Sequence, residues 1–229
     1  MGVKASAKLA VDMAMTILLM LLMAFELVGR SAHEWLGMGM FVLFVLHHLL
    51  NRQWTASLLR GRYTSYRILQ TAVAGLVFLA MLGSFVSAVP ISREVFAFLS
   101  IRRGMALGRV VHLLCAYWGF VLLSLHLGLH WGNITAMAGR CWGHPPRAGR
   151  IALRILGAAI AVAGAYALVR RDIPDYLFLR TQFVFFDHDE PRILFFLDYM
   201  AAMGLFVWAG HYLSKLARLP RRGSAGNRP

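Results

Sequence analysis

The chain has 229 residues, of which 59% are apolar and only 15% charged, and this balance excludes an ordinary soluble domain. The net charge of +14 would suggest nucleic acid in a soluble protein. Here the basic residues flank long apolar runs and serve topology, so no nucleic-acid partner is expected.

The apolar runs cover 9–29, 36–50, 67–90, 108–134, 151–169 and 194–214, which predicts six spans. The second run is short and is completed by extending it from His33 to Asn51. The first is too long, and too interrupted by Asp12 and Glu26, for a cleavable signal peptide. Acids within a span are functional candidates, although both sit toward its expected ends, where they can reach water. Glu26 is placed to pair with Arg30 one turn later. The methionines of this span (Met13, Met15, Met20, Met23) read as filler. From Asn51 to Arg67 the chain is polar and basic, with Trp54, Leu58, Leu59 and Tyr63 interleaved, as in a short interfacial helix.

Cys115 falls inside the fourth span as a small buried hydrophobe, and Cys141 in the following loop reads as a reduced thiol. No Cys-x-x-Cys-His occurs, so covalent haem attachment is excluded. Pro145 and Pro146 punctuate the loop, and the fifth span is rich in Ala and Gly, as a packing helix is. The loop from Arg170 to Arg192 carries an aromatic run, Tyr176 to Phe186, suited to the membrane interface. Its acidic cluster Asp187, His188, Asp189 and Glu190 reads as a solvated edge that meets a partner rather than as a metal site. The last residues, Arg221 to Pro229, read as a disordered tail.

With a cytoplasmic N-terminus, the inner segments hold fourteen Lys and Arg against nine in the outer ones. That bias predicts an inner-membrane protein with both termini in the cytoplasm.

Histidines carry the chemistry. His33 and His47 lie fourteen residues apart on span two, and His112 and His126 fourteen apart on span four. Fourteen helical residues fall about 40° short of four turns, so each pair shares a face, its members about 21 Å apart. Spans two and four run in the same direction, which puts His33 level with His112 and His47 level with His126. One imidazole from each helix at each of two depths suits two six-coordinate b-type haems, stacked across the bilayer.

A histidine on an apolar face is more often a core residue, and His130 with His144 repeats the spacing by coincidence, since Gly139, Arg140 and Gly143 lie between them and Pro145 follows. Equal depth in two pairs argues against coincidence. His48 and His130 remain alternates to His47 and His126 at the inner haem. Together with Asn51 they gather where a quinone or a propionate is met. His211 reads as a packing residue.

Glycines beside the histidines (Gly37 and Gly39, Gly119 and Gly128, Gly75 and Gly83) either admit flat rings or let helices pack. Arg30, Arg102, Arg103 and Arg109 precede the outer pair, and Arg52, Arg60 and Arg67 follow the inner pair. They are candidates for holding propionates, or for anchoring the spans at the headgroups.

The H-x13-H pairs on spans two and four resemble the di-haem cytochrome b architecture of respiratory complexes. Two runs are similar to a bacterial membrane family of unassigned function: His33-Glu34-Trp35-Leu36-Gly37 with His47-His48-Leu49-Leu50-Asn51, and Tyr117-Trp118-Gly119-Phe120 with His126-Leu127-Gly128-Leu129-His130-Trp131. Its members are held to be cytochrome-b-like and to work with extracytoplasmic flavin proteins. The resemblance covers residues 9–134 and implies such a partner.

The expected architecture is an all-α membrane protein. It comprises a four-helix di-haem bundle over 1–134, an additional transmembrane hairpin over 135–216 and a disordered tail over 217–229. The expected function is electron transfer through two haem b groups, between a quinol or inner donor and an extracytoplasmic acceptor. Alternatives are a quinone-binding anchor subunit in which haem is mainly structural, and a transporter with histidine proton relays.

Overall fold

The computed structural model describes residues 3–58, 60, 63–101, 103–143 and 145–219. Leu59, Arg62, Arg102, His144 and the tail from Arg221 lie outside the described residues.

Every long apolar run forms a helix, and no strand occurs among the described residues. The helices are α1 (Val3–Met23), α2 (Phe25–Leu50), α3 (Arg52–Ser57), α4 (Ser65–Ile91), α5 (Met105–Trp142), α6 (Arg147–Arg170), α7 (Ile173–Leu177) and α8 (Arg192–Ala217). Six of them, all but α3 and α7, are long and apolar enough to cross a bilayer. The chain is an all-α membrane protein.

Local signals explain several ends. Thr64 caps α4 by accepting a hydrogen bond from the Arg67 amide. Gly104 and Gly143 adopt positive φ on either side of α5, where a side chain would be strained. α3 forms a short helix in the basic connection after α2, where a short helix is expected.

The first hairpin departs from expectation. α1 ends at Met23, six residues before the predicted end of span one, and α2 begins at Phe25. Gly29, at φ 76° and ψ 166°, breaks α2 near its start. Glu26 therefore belongs to the turn of the hairpin, and the break separates it from Arg30, with which it forms no ion pair among the described residues. Asp12 moves the other way: because α1 starts at Val3, Asp12 sits in mid-helix rather than near an end.

α5 is the hub. It packs closely on α4 along one side and on α8 along another, with α6 behind α8. Its 38 residues span about 57 Å, so it extends well past a bilayer core of about 30 Å. It also runs through residue 134, so the hairpin α6–α8 is packed on the bundle helix itself. Gly128 meets the Val207 carbonyl and Gly210 meets the Leu125 carbonyl, which makes the α5–α8 crossing one of backbone against backbone. Gly164 of α6 likewise lies against Ala201 of α8. These glycines are packing devices, Gly128 among them. Gly83 is another, facing Cys115 across the α4–α5 contact.

α1 and α2 pack on each other but stand off from α4 and α5, with few backbone approaches between the hairpins. Side chains bridge that seam: Phe41 to Phe85 at 4.9 Å between ring centres, and Phe44 to Phe78 and to Phe85 at 5.8 Å.

At the far end of the α6–α8 hairpin, Arg170 and Arg171 hold Glu190 and Asp198. Arg171 reaches them at 2.6 and 2.7 Å, and Arg170 at 2.5 and 3.3 Å. Glu190 is thus folded into an ion-pair cluster, not displayed on an acidic edge. Burial works against the Arg171 charge, but hydrogen bonds to Glu190 and Asp198 outweigh it and push the guanidinium above its ordinary value.

Candidate functional site

The histidines gather in two groups along the seam between α2 and α5, which run in parallel. In the first group, His33 and His112 face each other with ring centres 6.1 Å apart and planes at 74°. His112 Nδ1 lies 3.0 Å from the Ser84 carbonyl and 3.3 Å from Ser87 Oγ, both on α4. Donation from Nδ1 to that carbonyl fixes the ring and leaves Nε2 free. His33 Nδ1 is buried without a hydrogen bond, and Phe25 packs edge-on against the ring.

A carboxylate locks this end. Glu34, next to His33, accepts hydrogen bonds from Ser92 Oγ (2.6 Å) and from the backbone N–H groups of Arg93 (3.0 Å), Glu94 (2.9 Å) and Val95 (3.2 Å). Ser31 adds a bond to Glu94 Oε2 at 2.7 Å. The turn after α4 is thereby tied to α2, and the tie spans the seam one residue from His33.

The second group is larger. His47 and His48 come from α2, His126 and His130 from α5, Gln70 from α4 and Asp12 from α1. His47 Nδ1 lies 2.8 Å from Asp12 Oδ1. His48 Nδ1 bonds the Phe44 carbonyl at 2.9 Å, and its ring packs on Phe44 and Phe78. His126 lies against His130, ring centres 4.8 Å apart, and within electrostatic range of His47, His48 and Asp12. His126 Nδ1 is buried and unpartnered, whereas the Gln70 amide nitrogen approaches His130 Nε2 at 3.5 Å. Tyr66 donates to the Leu129 carbonyl, and Arg218 stacks over the Tyr66 ring at 3.9 Å.

Midway between the groups, Met40 on α2 and Gly119 on α5 are each seven residues from both histidines of their helix, hence on the same face within about 20°. Met40 is buried, and a Cβ at Gly119 would meet only Ala80 at an ordinary 3.9 Å. Gly37 has nothing within 4 Å of a would-be Cβ.

The remaining candidates lie at the rims. Arg30, Arg103 and Arg109 are exposed near the His33 end. Asn51 donates its side-chain amide to the His47 carbonyl at 2.9 Å, which closes the end of α2. Arg52 is exposed and borders a shallow groove with His48, Thr55 and Phe78. His211 on α8 buries an unpartnered Nδ1.

Sequence reasoning missed the partners: Ser84, Ser87, Gln70, Glu34 and the contact of Asp12 with His47. Polar residues at Gln70, Ser84 and Ser87 in an otherwise apolar span are the available signal.

Among the described residues, no three His, Cys, Asp or Glu side chains converge as they would on a bare metal ion. A macrocycle that brings four ligands of its own asks for only two from the protein. Two imidazole–metal bonds of about 2.0 Å, each with about 1.1 Å more to the ring centre, would place the centres about 6.2 Å apart. His33 and His112 meet that requirement, with orphaned buried imidazole nitrogens at His33 and His126. No protein-family model, curated protein or solved structure matches the chain.

Proposed function

We propose that this protein is a di-haem b-type cytochrome that carries electrons across a membrane. In this reading His33 and His112 hold one haem, and His47 and His126 the other. The carrying observation is the facing of two imidazoles from parallel spans at 6.1 Å, one of them anchored through Nδ1 on a backbone carbonyl. When bound, the haems supply reversible one-electron chemistry at two depths.

The chain's own residues do the rest. Ser84 and Ser87 orient His112, Glu34 ties α2 across the seam, and the seam aromatics exclude water. At the second end, His47 and His126 share the helix faces of His33 and His112; His47 has a carboxylate on Nδ1, and His126 Nδ1 is unpartnered while His130 Nε2 is met by Gln70. His48, anchored through Nδ1 on the Phe44 carbonyl as His112 is on that of Ser84, is the alternate to His47. The Lys and Arg asymmetry supports placement in an inner membrane with both termini cytoplasmic. The His33 end then faces an extracytoplasmic redox partner, which by resemblance binds flavin, and the His47 end faces the quinone pool.

The test is a reduced-minus-oxidised spectrum with pyridine-haem quantitation on purified protein, with two b haems per chain expected. His33→Ala or His112→Ala removes one haem, and His47→Ala or His126→Ala the other. A colourless protein, produced with ample haem, refutes the reading.

A further inference from the structure

The two ends differ in what their imidazoles lean on. His112 gives its Nδ1 to a neutral carbonyl, whereas His47 rests on a carboxylate. Asp12 belongs to a different helix, sits in the middle of an apolar span, and has no other side-chain partner among the described residues. A carboxylate in a span is costly and retained for a task. Its position fixes the His47 tautomer, with the proton on Nδ1 and Nε2 free.

We propose, building on the two-haem reading, that Asp12 is a positioning residue acting through His47. It makes the His47 end the more electron-rich, so that the haem held there favours its oxidised form and the His33–His112 end is the downhill acceptor. A carboxylate hydrogen-bonded to a ligand imidazole raises its donor strength, and removing such a partner typically changes metal affinity by about 10-fold to 100-fold. The charges around the two ends do not cancel this. Arg218 faces His130 and is held over Tyr66, not against His47. Glu34 lies near His33, but its oxygens are engaged by Ser92 and three backbone amides and touch no imidazole.

The experiment is a spectroelectrochemical titration of the haem-loaded protein in wild-type, Asp12→Asn, Asp12→Glu and His33→Ala forms. Two one-electron steps are expected in the wild type. Asp12→Asn shifts the ferric-to-ferrous preference of the lower step by about tenfold, about 59 mV for one electron, and leaves the upper step in place. Asp12→Glu restores the lower step, and His33→Ala retains the lower step alone. If Asp12→Asn instead loses one haem, a remaining upper step supports the assignment and a remaining lower step overturns it. A fully loaded Asp12→Asn protein with an unmoved lower step overturns it, as does retention of the upper step in His33→Ala. A colourless wild type overturns both this assignment and the reading beneath it.

Discussion

Replacing Gly128 by alanine tests the crossing that holds α8 on α5. A Cβ there would lie 2.3 Å from the Val207 carbonyl oxygen, 2.9 Å from its carbon and 3.0 Å from Gly210 Cα. All three are backbone atoms, so no side chain can swing aside. The oxygen is about 1 Å too close for ordinary contact, and the helices must part by about that much. Overpacking of this kind costs about 1–3 kcal/mol. The controls are Gly37→Ala and Gly75→Ala, where nothing lies within 4 Å. Relief from glycine in a helix makes those neutral or more stable by about 0.5–1 kcal/mol. The assay is unfolding in mixed micelles by a denaturing detergent, followed by circular dichroism and tryptophan fluorescence. If Gly128→Ala unfolds at the same midpoint as Gly75→Ala, the crossing is not closed in the membrane and the argument fails.

Glu34→Ala removes the acceptor for four donors in the turn after α4, so the loop 92–101 gains protease sensitivity and stability falls by about 2–3 kcal/mol. Limited proteolysis with the unfolding midpoint reads both, and an unchanged cleavage pattern would count against the tie across the seam. Arg171→Ala leaves Glu190 and Asp198 to Arg170 alone and costs about 3 kcal/mol, the low end for breaking a buried pair. Raised above its ordinary value, the Arg171 guanidinium stays charged at any working pH, and its contribution is lost only far into alkali. The same detergent unfolding, repeated at neutral and moderately alkaline pH, should show the same loss at both.

The six spans were legible because their apolar runs exceed what a soluble core uses, and the histidine faces because helical period is a local property. What depends on contact between distant segments was not. Asp12 reads alone as a residue at a span end, and only the early start of α1 and the approach of α2 bring it to His47. The early end of α1 has no marker, since Ala24 and Phe25 look like a continuing helix. Gly29 was the visible breaker, and it lies beyond the turn. Gly128 and Gly83 carried the right signal, close approach, but sequence could not say whether a ring or a helix approaches. Glu190 reads as solvated beside Asp187 and Asp189, because the arginines that take it come from the other end of its own loop.

The phenylalanine contacts between the hairpins make ring size a gauge for the whole assembly. With few main-chain approaches to set the spacing there, the width is that of Phe41, Phe44, Phe78 and Phe85 laid against one another. Trimming one phenyl to a smaller group lets two stiff rods lean inward, and rods transmit that tilt along their full length. Spacing at both depths would then shift together, from a substitution that touches neither.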